Sequence, residues 1–257
     1  APLLVTLTSH PPEVLVGIQL FKIILESASW VTAKSMAALS RARELVPDIG
    51  SRSSVVYRGV PRPEGASEPL SARFPTIVCM GRLAREKGFD LAIRAFATIR
   101  PHFTNIRMII GGNGPERRAL EELVRSLNLT DHIDFAGWVN PEGVASFLSA
   151  ATVVMIPSRR ECLPRVAVEA ALLAKPVIAT MVGGIPEVVV DGQTGMVVEP
   201  EDPHALAQAT LYLLANPEQA SGMGTIACDR AQKLFHMPHC IDAYHELYAK
   251  LAFAHSP

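Results

Sequence analysis

A chain of 257 residues, nearly half of them apolar, is long enough to bury a core in one large domain or two small ones. Its formal net charge of −1 argues against a general nucleic-acid binder, which carries a basic surplus. The four cysteines (Cys79, Cys162, Cys228 and Cys240) are scattered without metal or redox spacing, a usage that suits a reducing cytosol better than a disulfide-held secreted fold.

The chain starts at Ala1 with no initiating Met and no basic signal region, so it is expected to begin inside a longer protein. Residues 3–8 read as a strand, 13–26 as a helix, 30–33 as a strand, 35–46 as a helix and 54–57 as a strand. These are βαβ parts, too few for an independent doubly wound domain. No apolar run is long enough for a membrane span. The nearest, residues 14–25, contains Gln19 and Lys22 and reads as a buried helix, with a membrane-docking helix as the second option.

A linker is expected over 61–75, where Pro61, Pro63, Pro69 and Pro75 cluster with Gly65. Beyond it, short β-branched runs at 76–80, 107–110, 133–135, 152–156, 177–180 and 195–198 alternate with helical patterns. That alternation predicts a parallel sheet with helices on both faces. Asn140-Pro141 and Asp202-Pro203 each place a capping side chain ahead of a proline in the first helical turn, and Pro115 follows Gly114 in the same way. After Asp202 the chain reads as helix almost to its end, broken near 216–217 and 236–238.

Four clusters stand where strands run into helices, at the edge where open α/β sheets bind ligands. The first spans 81–88; Gly81 admits close approach, and Arg82 and Lys87 suit phosphate oxygens. A solvated loop with Arg85 and Glu86 paired is the equal alternative. The second, Gly111-Gly112-Asn113-Gly114-Pro115, permits a tight turn near an anion, though an ordinary βα turn is the commoner explanation. The third, 157–165, carries Glu161 just before a helix and Glu169 eight residues later. Along a continuous helix they would lie roughly 12 Å apart. A retaining glycosidase pair needs roughly 5 Å, so the spacing suits two ends of one extended ligand. Free amides at the helix start would meet a phosphate between them; the plain alternative is one exposed and one partly buried glutamate. The fourth, 182–187, has ligand-side glycines and Glu187, read as a structural acid of a short helix.

Together these clusters resemble the retaining glycosyltransferases of family 4, which have the two-domain GT-B fold. The resemblance rests on GRLAREKG at 81–88, GGNGP at 111–115, FAGWV at 135–139, PSRRECLPRVAVEA at 157–170 and KPVIATMVGGIPEVVVDGQTG at 175–195, in that order and spacing. It implies that Arg82 and Lys87, with Gly81, Gly112 and Gly114 in the flanking turns, hold a donor diphosphate. Glu161 and Glu169 match the family's E-x7-E acids, the first on the donor sugar and the second on the ribose. The backbone at Trp138 and Val139 frames the base, and the amides near Leu163 and Val166 hold the donor. His10 resembles the strand-end histidine beside the transferred sugar; a structural histidine is the near-equal alternative. Ala33-Lys34-Ser35 and Arg58-Gly59-Val60 resemble the last strands before the linker.

The chain departs from the family in lacking the first half of the acceptor domain, in Cys162 where glycine is common, in the extra charge of Arg160 and Arg165, and in His236-Met237-Pro238 before the last helix. The expected architecture is α/β, GT-B type. An incomplete Rossmann-like piece covers 1–60 and a linker 61–75. A doubly wound donor domain covers 76–235, and a final helix over 236–257 crosses back. The expected activity is retaining transfer of a sugar from a nucleotide-diphosphate sugar to a sugar, lipid-linked or small-molecule acceptor. Neither an obligatory metal nor another cofactor is expected, since paired aspartates are lacking near the crevice and cationic side chains take their role. A cytoplasmic location is expected, with peripheral membrane contact as an added option. The rival from another class is a nucleotide-sugar-binding module without turnover; an epimerase or phosphorylase on the same fold ranks third.

Overall fold

The computed structural model describes residues 2–8, 15–61 and 74–253. The first part alternates β1 (Leu4–Leu7), α1 (Leu15–Ser27), β2 (Trp30–Ala33), α2 (Met36–Leu45) and β3 (Ser53–Val55). Its strands form a parallel three-stranded sheet in the order β1-β2-β3. The N-cap of α2 is Ser35, whose hydroxyl accepts from the Ala38 amide. Leu25, Val31, Leu39 and Ile49 fill the core of this unit.

One expectation fails here. Helix α1 is not buried: Val16, Leu20 and Ile23 are 74%, 59% and 62% exposed, while Leu25 is fully covered. Apolar residues surround the helix on most sides, but the narrow sheet covers only the stripe around Phe21 and Leu25.

The second part holds β4 (Thr76–Met80), α3 (Phe89–Ile99), β5 (Arg107–Gly111), α4 (Arg117–Ser126), β6 (Ile133–Gly137), α5 (Val144–Ser149), β7 (Val153–Ile156) and α6 (Arg165–Leu172). It continues with β8 (Val177–Thr180), α7 (Ile185–Val188), β9 (Gly195–Val198), α8 (Pro203–Ala215), α9 (Pro217–Leu234) and α10 (Met237–Phe253). Its parallel sheet has six strands in the order β6-β5-β4-β7-β8-β9. Strand order reverses between β4 and β7, which makes a crevice at their carboxyl ends.

The central strands are apolar on both faces because both are covered. Ile77, Cys79, Met108 and Met155 point to one face with Phe96 of α3 and Leu206 of α8. Val78, Val154 and Ala179 point to the other with Val168 of α6 and Ala227 of α9. Cys79 is thus a core residue, and burial pushes its thiol up to about 12.

Asp202 caps α8 as expected, accepting from the Ala205 amide. Asn140 caps too, but Pro141–Gly143 is a 3-10 turn rather than an α-turn. Pro115 lies ahead of α4, which starts at Arg117 without a side-chain cap. The last helix packs against the first unit: the Tyr244 and Thr32 hydroxyls are 3.5 Å apart, and the Lys250 ammonium sits 4.2 Å over the Trp30 ring.

Candidate active site

Three loops meet at the reversal point. The loop after β4 and the loop after β5 are tied to each other: Leu83 N donates to Asn113 O (2.9 Å), and Glu116 N to Leu83 O (2.9 Å). Gly112 has φ +126°, and a Cβ there would stand 1.9 Å from Gly81 O. Gly114 faces Leu83 O in the same way, at 2.4 Å. The glycine turn is therefore shaped by close packing of two backbones, and Gly112 also lines the cavity below.

The loop after β7 is fastened to the loop after β4 by Arg159. Its guanidinium grips Asp90 through both terminal nitrogens, at 2.6 and 2.9 Å. It also pairs with Glu201 and donates to Arg85 O at 3.0 Å. The Arg159 amide adds a bond to Glu86 O, at 2.8 Å. Burial pulls the Asp90 carboxyl up, but the bonds and charge of Arg159 outweigh it and hold it below the usual range. The spacing of charges in the sequence gave no sign of this residue's partners. Arg85 and Glu86, by contrast, serve through their backbone carbonyls, not as the ion pair entertained above.

Two cavities open between these loops. The larger, about 480 Å³, is lined by Gly81, Arg82, Gly112, Val139, Arg165 and Glu169, with Trp138 at its lip. The smaller, about 240 Å³, is lined by Lys87, Ser158, Glu161, Leu163 and Val166 among others. Both share Gly81, Arg82, Arg165 and Val166, so they are chambers of one cleft. The amides of Leu163 and Val166 donate to no acceptor among the described residues. They lie at the start of α6, where a helix favours an anion.

In the smaller chamber Glu161 is buried and takes a 2.5 Å bond from Lys87 Nζ and a 3.0 Å bond from the Ser158 hydroxyl. Ser158 is positioned in turn by Thr180, whose hydroxyl donates to Ser158 O. In the larger chamber Glu169 is 5% exposed and pairs with Arg165 Nε at 2.7 Å. Burial raises its carboxyl above the ordinary range, against the pull of Arg165 and Arg58. Arg165, in sequence only an added positive charge, is the partner of Glu169. Gly114 lines neither chamber, and His10 lies outside the described residues. Among the described residues no three His, Cys, Asp or Glu side chains converge as a metal ligand set, and no helix is long and apolar enough to cross a membrane.

The two sheets are joined through Glu187. Its carboxylate accepts from the Met36 and Ala37 amides at the start of α2 (2.8 and 3.0 Å) and from the Tyr57 hydroxyl (2.9 Å). The expected structural acid is thus confirmed, but the helix it caps is α2 of the other unit. Cys162 fills the same seam, its thiol 3.7 Å from the Ser35 hydroxyl. Burial, then the bond to Glu187, pushes the Tyr57 phenol from 10.0 up to about 12. Below pH 10 the phenol is protonated whether the chain is folded or not, so its contribution to stability is complete. Above that the unfolded chain gives up the proton first, and stability is lost as pH rises through about 12. The unfolding midpoint should therefore fall more steeply above pH 10 in the wild type than in Tyr57→Phe. Parallel curves for the two proteins would show that Tyr57 keeps an ordinary affinity for its proton.

Residues 64–230 match the family model of the glycosyl transferases group 1. Among solved structures, sucrose-phosphate synthase from Thermosynechococcus elongatus is 30% identical, with a TM-score of 0.88 over 98% of this chain and 68% of that one. The Anabaena protein HepE in complex with UDP and glucose shares the fold at 21% identity and a TM-score of 0.84, over 96% of this chain and 71% of that one. The D-inositol 3-phosphate glycosyltransferase of Corynebacterium urealyticum is 36% identical over 172 residues, 64% of this chain and 40% of that protein. The GDP-mannose-dependent alpha-(1-6)-phosphatidylinositol monomannoside mannosyltransferase of Mycolicibacterium smegmatis is 34% identical over 157 residues, 58% of this chain and 41% of that protein. The match thus spans about two fifths of the length of these two curated relatives. Its α/β architecture is the GT-B type, and the chain belongs to the glycosyl transferases group 1 family.

Proposed function

We propose that this chain carries the donor site of a retaining, family 4 glycosyltransferase that moves a sugar from a nucleotide diphosphate to an acceptor hydroxyl. The observation that carries the proposal is the two-chambered cleft, with one glutamate in each chamber and cations where the chambers meet. The nucleoside occupies the larger chamber, its base beside Trp138 and Val139 and its ribose hydroxyls on Glu169. The diphosphate spans the junction at Gly81, Arg82 and the amides of Leu163 and Val166, within reach of Lys87. The sugar enters the smaller chamber against Glu161. In transfer, the bond from the anomeric carbon to the diphosphate oxygen breaks, one to the acceptor oxygen forms, and the acceptor hydroxyl's proton passes to the departing diphosphate. Charge grows on the departing diphosphate, where preorganised cations and amides stabilise it without an obligatory metal. Glu161 orients the sugar, and the geometry it imposes supplies the rest. On this reading His10 lies on the acceptor side, the acceptor is a sugar, a lipid-linked molecule or a small molecule, and the setting is cytoplasmic.

Titration with UDP and with uridine tests the assignment. Lys87→Ala and Arg82→Ala should each weaken UDP by about 1.5–3 kcal/mol, the worth of a charge-assisted bond, and leave uridine almost unchanged. Glu169→Gln should weaken both ligands and reduce discrimination against their 2′-deoxy forms. Equal losses of UDP and uridine in the lysine and arginine variants would remove the diphosphate from this junction.

A further inference from the structure

A third cavity, of about 110 Å³, adjoins the cleft and is not used by the donor reading. It is lined by Thr8, Lys34, Arg58, Val60, Leu163, Arg165 and Val168. Its position follows from the topology. Thr8 follows β1, Lys34 follows β2, and Arg58 comes shortly after β3, so each parallel strand of the first sheet delivers one polar side chain at its carboxyl edge. The opposite wall is the first turn of α6, and Leu163 and Arg165 also line the small chamber.

The charges here are unbalanced. Arg165 is engaged with Glu169. The Lys34 ammonium and the Arg58 guanidinium have no carboxylate partner among the described residues, although Lys34 is half-buried. Burial and then the like charge of Arg58 lower the Lys34 pKa. The carboxylate that Arg58 acts on, Glu169, is already paired with Arg165, and Glu187 is spent on the Met36 and Ala37 amides and the Tyr57 hydroxyl. Three cations (Lys34, Arg58 and Arg165) set against the single carboxylate of Glu169 leave a positive surplus that favours an incoming anion. A water takes roughly 30 Å³ of liquid, so this cavity has room for a tetrahedral oxyanion and a water, not for a nucleoside.

We propose that Lys34, Arg58 and Thr8 form a receptor for one tetrahedral oxyanion, the phosphate group of an acceptor whose hydroxyl attacks in the adjoining chamber. The acceptor half of the statement rests on the glycosyltransferase reading; the oxyanion site does not. The ammonium and guanidinium neutralise the anion, the Thr8 hydroxyl donates a further bond, and Arg165 links the site to Glu169 in the donor cleft. An acceptor so anchored has its neighbouring hydroxyl directed at the sugar, while an unphosphorylated analogue is held only by weaker contacts.

The test is calorimetric titration of the full chain with inorganic phosphate and with glycerol 1-phosphate, each with and without saturating UDP, and with glycerol as the neutral control. Both phosphates should bind with UDP present, and glycerol should not. Lys34→Met with Arg58→Met should weaken the phosphates by roughly tenfold or more, the loss of charge-assisted bonds, while leaving UDP affinity unchanged. Arg82→Ala should weaken UDP and spare the phosphates in its absence. Circular dichroism on the double variant establishes that it is folded; if it is not, Arg58→Gln alone, at an exposed position, takes its place. Phosphate that UDP displaces would assign the cavity to the donor diphosphate and overturn the proposal, as would undiminished phosphate binding by the variants. If UDP fails to bind at all while the phosphates bind and depend on Lys34 and Arg58, the donor reading falls and the oxyanion site stands.

Discussion

Glu161→Ala is expected to cut sugar transfer by on the order of 100-fold while leaving UDP affinity at least intact. The rate loss follows from positioning: a reacting group displaced by about 1 Å loses that much. The preserved affinity follows from the pairing. Glu161 holds Lys87 Nζ at 2.5 Å in the structure, and removing the carboxylate releases the ammonium for phosphate. Affinity for the complete donor should fall modestly, since the variant lacks the carboxylate proposed to meet the sugar. The pattern is the reverse of that for Lys87→Ala, which should weaken every phosphate-bearing ligand. Rates are measured on a chain competent for transfer, with UDP and UDP-sugar titrated alongside. Wild-type turnover in Glu161→Ala, or a UDP loss as large as that of Lys87→Ala, would deny Glu161 its role.

Arg159→Ala should have the largest effect on stability and a second, indirect effect on donor binding. Breaking a fully buried ion pair costs about 3–5 kcal/mol. Here the Arg159 side chain is 19% exposed, but Asp90 and Glu201 are 37% and 59% exposed. Solvent screens the carboxylates left behind, so a loss of about 2 kcal/mol is expected. Denaturant unfolding should show it as a lower midpoint at unchanged slope. The loop carrying Lys87 is tied to the loop carrying Glu161 through Arg159, so UDP affinity should fall as well, although Arg159 lines neither chamber. Arg159→Lys tests geometry against charge. A lysine cannot hold two oxygens of Asp90 in a planar fork, and it should recover little. Full recovery by lysine would mean that only the charge matters.

What the sequence made legible and what it hid divide along physical lines. Strands apolar on both faces announce a covered parallel sheet, so β4 to β9 could be read from their composition. The ligand edge was equally readable, because the strand-to-helix turns of an open sheet all fall on one side. Glu161, Glu169, Lys87 and Arg82 do converge on one cleft. Three things were not legible. Helix α1 shows its apolar residues in the sequence, but not which of them find a neighbour. Arg159 is one of three arginines within seven residues, and its partner Asp90 is 69 residues away. Glu187 looked local to its own short helix, whereas its partners lie 130 to 151 residues earlier. Charge type and local spacing say nothing about contacts made at such separation; only the folded chain brings them together.

The two places where the chain passes between the sheets lie side by side. Val60 N donates to Phe235 O at 2.9 Å, and Val60 pairs with His236. A Cβ on Gly59 would stand 2.6 Å from the Met237 Cα, so the crossings touch backbone to backbone. Two adjacent passages are placed like the knuckles of a door. If the halves swing, the axis runs near Val60, and displacement grows with distance from it. The 110 Å³ cavity is lined by Val60 itself and lies on the pin, whereas Trp138, 78% exposed, stands at the lip of the larger chamber. Every residue lining the larger chamber belongs to the second half, so such a swing leaves its walls unchanged, whereas the 110 Å³ cavity is walled by both halves and would keep its shape only because it lies beside the axis.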